Sequence, residues 1–304
     1  MSIIFMGTPE FAVASLEALI NAGEKIVAVV TAPDKPAGRG QKIHESAVKK
    51  FAIANHLPVL QPSNLKDPIF IEELRNYKAD LQVVVAFRML PEIVWDMPPK
   101  GTINLHGSLL PQYRGAAPIN HAIINGETES GVSTFLLQHE IDTGNILFSE
   151  KVAIKPNDTA EDLHDSLMEI GAQLLVKTVK AVKEGNIEGE TQPEDVGQLK
   201  AAPKIHKEDC RINWDKPVQE VYNFIRGLSP YPTAFTTLEN KFFKIFKAQA
   251  EKARVQEKPG TPISDGKTFL KFACKDGYIN VLDLQIQDKK RMNIADFLRG
   301  FKLK

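Results

Sequence analysis

The amino-acid sequence predicts an α/β protein in which a doubly wound, mostly parallel sheet is followed by a small C-terminal β-barrel. Three observations lead to this fold class. Apolar runs rich in β-branched residues recur through the first half of the chain. Helical patterns of about ten residues separate these runs, as in a parallel sheet that is buried on both faces. In the last third, short strand-like segments follow one another with turn residues between them, which is typical of small barrels.

The elements of the first half alternate along the chain. Helices are expected where apolar residues recur with a helical period, and strands where apolar runs are continuous. The strands are predicted at SIIFM (2–6), KIVAVVT (25–31), LPVLQP (57–62), LQVVVAF (81–87), GTINLH (101–106) and GVSTFLLQ (131–138). The helices are predicted at 9–23, 46–56, 68–77, 91–97 and 159–185, the last with Thr159 as its cap and Asp162 three residues on.

A polar stretch separates the two parts of the chain. NIEGETQPEDVGQLKAAPK (186–204) is rich in charged residues, proline and glycine, which is typical of an inter-domain linker. We therefore expect one domain over 1–185, a linker over 186–205 and a second domain over 206–304. After a helix at 218–228, the second domain has β-prone segments at 234–240, 241–250, 268–274 and 278–287, a pattern that suggests a barrel of the oligonucleotide-binding type.

Composition excludes some classes of protein and favours others. Residues 1–205 hold 19 Lys and Arg against 26 Asp and Glu, and residues 206–304 hold 19 against 12, so the parts carry formal charges of −7 and +7. A basic module is typical of polyanion binding, although a solvated basic face gives the same count. No apolar run of about 18 residues predicts a membrane span, and no signal peptide is visible. Cys210 and Cys274 are expected to be free thiols in a cytoplasmic protein.

Two polar residues end the predicted strand GTINLH. Asn104 and His106 are two apart, so their side chains share one face at the edge of the sheet where ligands bind in open α/β folds. An amide that stabilises an oxyanion, beside an imidazole that accepts a proton, suits attack by an amine on a carbonyl. Asp142 follows the next strand and is placed to orient His106. The alternative is a hydrogen-bonded strand end with Asp142 capping a turn.

Two loops add further candidates. A loop rich in small residues and proline follows the predicted strand GTINLH and begins with Ser108, Leu109, Leu110 and Pro111. Its backbone groups suit the binding of a flat heterocycle. The loop TAPDKPAGRGQK (31–42) carries Lys35, Arg39 and Lys42, which suit a phosphate-bearing substrate. Both also fit ordinary connecting loops. The chain lacks G-x-G-x-x-G and GxxxxGK[ST], and its histidines match no usual metal spacing, so we expect neither a dinucleotide site nor a metal.

Together with the motifs around them, these residues give the chain a resemblance to the methionyl-tRNA formyltransferase family that runs nearly end to end. FMGTPEFA, APDKPAGRG, INLHGSLLPQYRGAAPI and GVSTFLLQHEIDTG follow the family's N-terminal motifs in order, and APKIHKEDCRINW, IRGLSPYPTAF and KKRM…DFLRG resemble the C-terminal ones. The resemblance implies a Rossmann-like formyltransferase domain and a C-terminal tRNA-binding barrel. It also implies formyl transfer from 10-formyltetrahydrofolate to the amino group of methionine on initiator tRNA, for translation initiation.

The resemblance also implies roles for the candidate residues. Asn104, His106 and Asp142 match the family's catalytic set. The segment 108–111 matches part of the folate site, and the loop carrying Lys35, Arg39 and Lys42 matches the one that contacts the tRNA acceptor end. We expect a monomer whose partners are initiator methionyl-tRNA and the folate co-substrate, with no membrane.

Two segments depart from the family pattern. Phe87-Arg88 stands where an aromatic-Gly pair is usual, and Gln138-His139-Glu140 precedes Asp142 in place of the commoner Met-Asp-x-Gly-Leu type. Two other hypotheses remain from the sequence. One is a folate-dependent formyltransferase that acts on an amino sugar or a nucleotide precursor, and the other is a non-catalytic RNA-binding protein.

Overall fold

The computed structural model describes residues 1–37, 42–185, 187–193 and 199–301. By its internal contacts the chain divides into two compact units. The first unit comprises Met1–Arg114, Gly131–Val152 and His164–Ala201, and the second comprises Gly115–Ser130, Ala153–Leu163 and Ala202–Lys304. The domain boundaries at residues 185 and 206 stay a prediction. No helix within the described ranges has the length and apolar character needed to cross a membrane.

The first part of the chain alternates strands and helices, as predicted. Its strands are β1 (Ser2–Gly7), β2 (Lys25–Val30), β3 (Lys35–Ala37), β4 (Lys42–His44), β5 (Val59–Leu60), β6 (Leu81–Val85), β7 (Thr102–His106), β8 (Glu129–Leu136) and β9 (Ile146–Ala153). Its helices are α1 (Glu10–Asn21), α2 (Ala47–Ala54), α3 (Pro68–Asn76), α4 (Glu92–Trp95), α5 (Pro118–Ile124) and α6 (Ala160–Glu184).

Seven of these strands form one sheet, in the order β5-β2-β1-β6-β7-β8-β9. The pairs from β5 through β7 are parallel, and β7 pairs with β8 antiparallel. Chain order reverses at β1, because β2 and β5 lie on one side of it and β6 and β7 on the other. The predicted fold class is therefore confirmed for the first unit. Every residue of β6 is buried, which explains its continuous apolar run.

Local signals explain several helix starts. The predicted capping pair of α6 is present, since the Thr159 hydroxyl accepts from the Asp162 amide at 3.2 Å and the Asp162 carboxylate accepts from the Thr159 amide at 2.8 Å. Ser46 caps α2 by accepting from the Lys49 amide, and Asp67 caps α3 by accepting from the Ile69 amide. The sequence reasoning missed α5, β9 and the short β3–β4 hairpin. In β9 only Leu147 is buried, so this edge strand lacks a clear apolar pattern.

The second unit is built on an antiparallel half-barrel. Its strands are β10 (Ala234–Leu238), β11 (Lys241–Lys252), β12 (Pro262–Ser264), β13 (Leu270–Ala273), β14 (Gly277–Ile286) and β15 (Met292–Asn293), and its later helices are α7 (Val218–Gly227) and α8 (Ile294–Gly300). The strand order is β10-β11-β14-β13-β12, with β15 paired to β14. Aromatic rings fill its core, with Trp214 stacked on Phe272 at 4.6 Å between centroids.

Candidate active site

Strand β7 carries two polar side chains to the carboxyl edge of the parallel strands. Asn104 lies opposite Val84 of β6 and Phe135 of β8, and His106 lies at the last position, opposite Ser133. Because side chains alternate along a strand, Asn104 and His106 share one face. The structure thus places these two predicted residues side by side at the edge where α/β folds bind ligands.

The His106 imidazole is held between a backbone carbonyl and a carboxylate. His106 is 7% exposed, and its Nε2 lies 2.9 Å from the Tyr113 carbonyl oxygen. A carbonyl oxygen only accepts, so Nε2 carries a hydrogen and the neutral ring has its lone pair on Nδ1. Nδ1 lies 3.8 Å from Oδ2 of Asp142, whose side chain is 11% exposed. This is an ion-pair distance once Nδ1 takes a proton.

The sequence predicts that Asp142 orients His106, which would fix the imidazole tautomer. In the structure the Tyr113 carbonyl makes the hydrogen bond that fixes it. Asp142 instead faces Nδ1, the nitrogen that is free to accept a proton, at 3.8 Å. The three-residue set therefore has a fourth member that sequence reasoning missed, because any residue at position 113 supplies the same carbonyl.

Asn104 differs from His106 in having an uncommitted side chain. Asn104 is half-buried, and its amide makes no hydrogen bond to another residue in the described ranges. Buried amides are normally paired, so an amide left open at a ligand-binding edge is available to a ligand. The arrangement offers one hydrogen-bond donor and one proton acceptor to a reacting group.

The loop after β7 is rigid. The Ser108 hydroxyl donates to the Gln112 carbonyl at 2.6 Å, and the Ser133 hydroxyl donates to the Ser108 carbonyl at 2.8 Å while accepting from the Leu110 amide at 3.1 Å. Ser108 is 1% exposed, so its hydroxyl is committed within the loop. Of the segment 108–111, Leu109 and Pro111 are partly exposed. This segment therefore offers side-chain surface and backbone groups to a ligand, and no free hydroxyl.

Close packing and one glutamine fix the loop that carries Asp142. Asp142 has φ +57°, a left-handed conformation that aspartate tolerates. A Cβ on Gly144 would lie 1.6 Å from the Leu136 carbonyl oxygen, so only glycine fits there. The side-chain amide of Gln192 donates to the carbonyls of Asp142, at 2.9 Å, and Gly144, at 2.7 Å.

Gln192 is a site residue that the sequence did not reveal. It lies in the stretch interpreted as a linker, yet it is 5% exposed. Its Oε1 accepts from Nε of Arg114 at 3.0 Å and also from Nη2 at 2.6 Å. Nothing in a polar, proline-containing segment distinguishes this glutamine from its neighbours, because its partners come from distant parts of the chain.

The two segments that depart from the family pattern make local contacts. Arg88 donates to the carbonyls of Pro62 and Ser63, and its guanidinium lies 5.6 Å from the Phe87 ring centroid. Partial burial lowers the pKa of Arg88 from its ordinary value. His139 lies 3.2 Å from a carboxylate oxygen of Glu92 on α4. Both departures thus tie loops at the carboxyl edge to neighbouring segments.

The basic loop is only partly described. Lys35 begins β3 and is exposed, Lys42 begins β4, and Arg39 lies outside the described residues. Just before this loop, Asp34 pairs with Lys49 and accepts from Gln61 at 2.8 Å. These contacts lower the pKa of Asp34, with the Lys49 hydrogen bond the largest cause. The structure does not bring Lys35 into contact with Asn104, His106 or Asp142.

In the described part of the chain, no three histidine, cysteine, aspartate or glutamate side chains are grouped so that they could hold a metal ion. His106 lies at the carboxyl edge of the parallel strands, with the Asp142 carboxylate beside it.

Comparison with protein families covers both parts of the chain. Residues 1–179 match the formyl transferase family, and residues 204–302 match the formyl transferase C-terminal domain. A methionyl-tRNA formyltransferase of Bacteroides fragilis is 52% identical over 310 residues, spanning all of this chain and 96% of that protein. A methionyl-tRNA formyltransferase of Flavobacterium johnsoniae is 51% identical, spanning 99% of this chain and 96% of that protein.

Solved structures share the fold at lower identity. An N-formyltransferase from Helicobacter canadensis, in complex with folinic acid and dTDP-3-aminofucose, has a TM-score of 0.68 at 22% identity, covering 92% of this chain and 98% of that one. HypX from Aquifex aeolicus, in complex with tetrahydrofolic acid, has a TM-score of 0.68 at 17% identity, covering 99% of this chain and 48% of that one. With both family models matched and relatives above 50% identity along the whole chain, this protein belongs to the formyl transferase family, among the methionyl-tRNA formyltransferases.

Proposed function

We propose that this chain transfers the formyl group of 10-formyltetrahydrofolate to the α-amino group of methionine on initiator methionyl-tRNA, giving N-formylmethionyl-tRNA for translation initiation. The observation that carries the proposal is similarity to methionyl-tRNA formyltransferases along the whole chain, including the second unit. The geometry around His106 supports it, because an imidazole backed by a carboxylate and an open amide suit acyl transfer to an amine.

In the proposed reaction, the methionine amine attacks the formyl carbon. Asn104 donates a hydrogen bond to the formyl oxygen as that oxygen gains negative charge. His106 accepts the amine proton on Nδ1, and Asp142, 3.8 Å away, stabilises the imidazolium. The bond between the formyl carbon and the folate nitrogen then breaks, and the proton moves to that nitrogen. No proton is gained or lost overall.

We assign the folate co-substrate to the carboxyl edge beside Ser108, Leu109, Leu110 and Pro111. Two features of the loop support the assignment. Its backbone is held by three hydrogen bonds within the first unit, and Leu109 and Pro111 present apolar surface. A rigid loop with apolar surface suits a flat ring system, because little conformational entropy is lost when the ring binds.

We assign the RNA part of the substrate to basic side chains in both parts of the chain. A pocket of about 390 Å³ within the second unit is lined by Lys204, Lys207 and Lys244 together with Tyr231 and Phe242. No carboxylate among the described residues lies within ion-pair distance of these lysines, so their charges remain available to phosphates. Tyr231 is 83% exposed and offers a stacking surface. Lys35, Arg39 and Lys42 are proposed to contact the acceptor end.

One assay tests this function. The purified protein is incubated with labelled 10-formyltetrahydrofolate and, in separate reactions, initiator methionyl-tRNA, uncharged tRNA or a dTDP-linked amino sugar. The proposal predicts labelled formyl-methionyl-tRNA in the first reaction and no product in the others. Label in the sugar reaction alone would assign the chain to another formyl acceptor. Binding of tRNA with no formylated product in any reaction would indicate a non-catalytic RNA-binding protein. The cytoplasmic location and the monomeric state stay predictions.

A further inference from the structure

We propose that Gln192 is a positioning residue for the formyl-transfer step, because its single side-chain amide fastens together the segments on either side of His106. This inference rests on the proposed function of the His106 site. Among the described residues Gln192 makes no hydrogen bond to His106 or to the Asp142 carboxylate. Any effect on chemistry therefore passes through the Asp142 and Gly144 backbone and the Arg114 side chain that it binds.

The amide of Gln192 uses its full hydrogen-bonding capacity. Both amide hydrogens are committed, one to the Asp142 carbonyl at 2.9 Å and one to the Gly144 carbonyl at 2.7 Å. The amide oxygen accepts from two nitrogens of the Arg114 guanidinium. Because Gln192 is 5% exposed, water does not replace these partners when the amide is removed.

These contacts reach both partners of the imidazole. On one side Gln192 holds the backbone of Asp142, whose carboxylate faces Nδ1 of His106. On the other side it accepts from the guanidinium of Arg114, the residue that directly follows Tyr113, whose carbonyl binds Nε2. Gln192 therefore helps to set the positions of the Tyr113 carbonyl and the Asp142 carboxylate on the two sides of the imidazole. A small shift of either group misplaces the proton acceptor, which is costly in rate.

Described residues on both sides of Gln192 are held by backbone hydrogen bonds. The backbones of Glu190 and Ile146 exchange two hydrogen bonds of 2.8 Å. Further along, the Lys200 carbonyl accepts from the Tyr113 amide at 2.6 Å, and the Lys200 amide donates to the Gln112 side chain at 2.9 Å. Glu190 and Lys200, which flank Gln192 in the chain, thus hold the start of β9 and the loop that follows His106. Between these two anchored residues, the side chain of Gln192 is polar and buried.

Two substitutions separate positioning from mere packing. Gln192→Met keeps the approximate volume and removes every hydrogen bond. Gln192→Glu keeps an acceptor for Arg114 but has no hydrogen to donate to the two carbonyls. If the side chain only satisfied Arg114, glutamate would restore activity. We expect both variants to lower kcat by about 10- to 100-fold, with KM for methionyl-tRNA changed by less than about threefold. Thr191→Ala, at the exposed neighbour, is the matched control and should retain wild-type kcat.

Double variants show whether Gln192 acts through Asp142. In an Asp142→Asn background, adding Gln192→Met should lower kcat by less than about twofold, because the group that it positions has lost its charge. In an Asn104→Ala background the two losses should multiply. Each protein is compared by circular dichroism and thermal melting. If Gln192→Met does not fold, Gln192→Glu is combined with Asp142→Asn and with Asn104→Ala in its place.

The outcomes of this experiment are distinct from those of the proposed function. If the wild-type protein forms no formyl-methionyl-tRNA, the proposed function fails before any variant is compared. If the wild type is active, three results would each overturn the positioning role alone. They are a wild-type kcat in Gln192→Glu, a change in KM without a change in kcat, and kcat losses that multiply fully when Gln192→Met is combined with Asp142→Asn.

Discussion

The two units hold their polar side chains in opposite ways. In the first unit the ring of His106 is buried. Its Nε2 faces the Tyr113 carbonyl and its Nδ1 faces the Asp142 carboxylate. In the second unit Lys204 and Lys207 are exposed, with no carboxylate at ion-pair distance within the described ranges. Fixed, desolvated groups suit a chemical step, whereas accessible charges suit a polyanion whose contacts depend on salt. The comparison predicts that substitutions in the first unit change kcat and that those in the second change affinity.

The largest expected effect is that of Asn104→Ala in the first unit. Removing an oxyanion donor should lower kcat by about 10²- to 10³-fold. Single-turnover formyl transfer at saturating substrates measures this rate. The affinity for tRNA and the melting temperature should be unchanged. Asn76→Ala, at an exposed position at the end of α3, is the control. A rate within about twofold of the wild type would remove Asn104 from the mechanism.

Replacing the pocket lysines together should have the next largest effect. The triple change of Lys204, Lys207 and Lys244 to alanine should weaken tRNA binding by about 10- to 100-fold and reduce the salt slope of log K by about two to three. Filter binding over a range of salt concentrations measures both quantities. The matched control removes Lys50, Lys66 and Lys180, which are exposed in the first unit. A fall in kcat with unchanged affinity would contradict the division between the units.

A smaller effect is expected at the basic loop of the first unit. Lys35→Ala removes one exposed charge and should raise KM for methionyl-tRNA by about threefold, with kcat unchanged. Steady-state kinetics at two salt concentrations measure the change, which should shrink as salt rises. Lys25→Ala, at the exposed start of β2, serves as the control. A KM equal to that of the control variant would remove Lys35 from the RNA contacts.

The smallest effect is expected from thiol reagents. Burial raises the pKa of Cys274 to about 12 and is also the largest cause of the raised pKa of Cys210. Both thiols therefore favour the protonated form, whereas the thiolate is the reactive form. A chromogenic disulfide reagent should react slowly with the native protein and rapidly after denaturation, without loss of activity in the native state. Rapid native labelling of two thiols would show that the core of the second unit opens readily.

Sequence reasoning succeeded where local pattern decides structure. The continuous apolar run of β6 and the alternation in β7 placed the sheet and brought Asn104 and His106 to one edge. It failed where tertiary contacts decide. The carbonyl of Tyr113 carries no side-chain signal, and Gln192 sits in a segment whose polarity is typical of a linker. Edge strand β9 was missed because most of its side chains are only partly buried or exposed.

The most direct test of the account compares His106→Ala with the wild type in formyl transfer and in tRNA binding. The wild type should convert methionyl-tRNA to formyl-methionyl-tRNA. His106→Ala should bind tRNA with the wild-type Kd and form product at least about 100-fold more slowly, because the proton acceptor is gone. Product formation at the wild-type rate by His106→Ala would contradict the central claim that this imidazole, between Tyr113 and Asp142, is the base for formyl transfer.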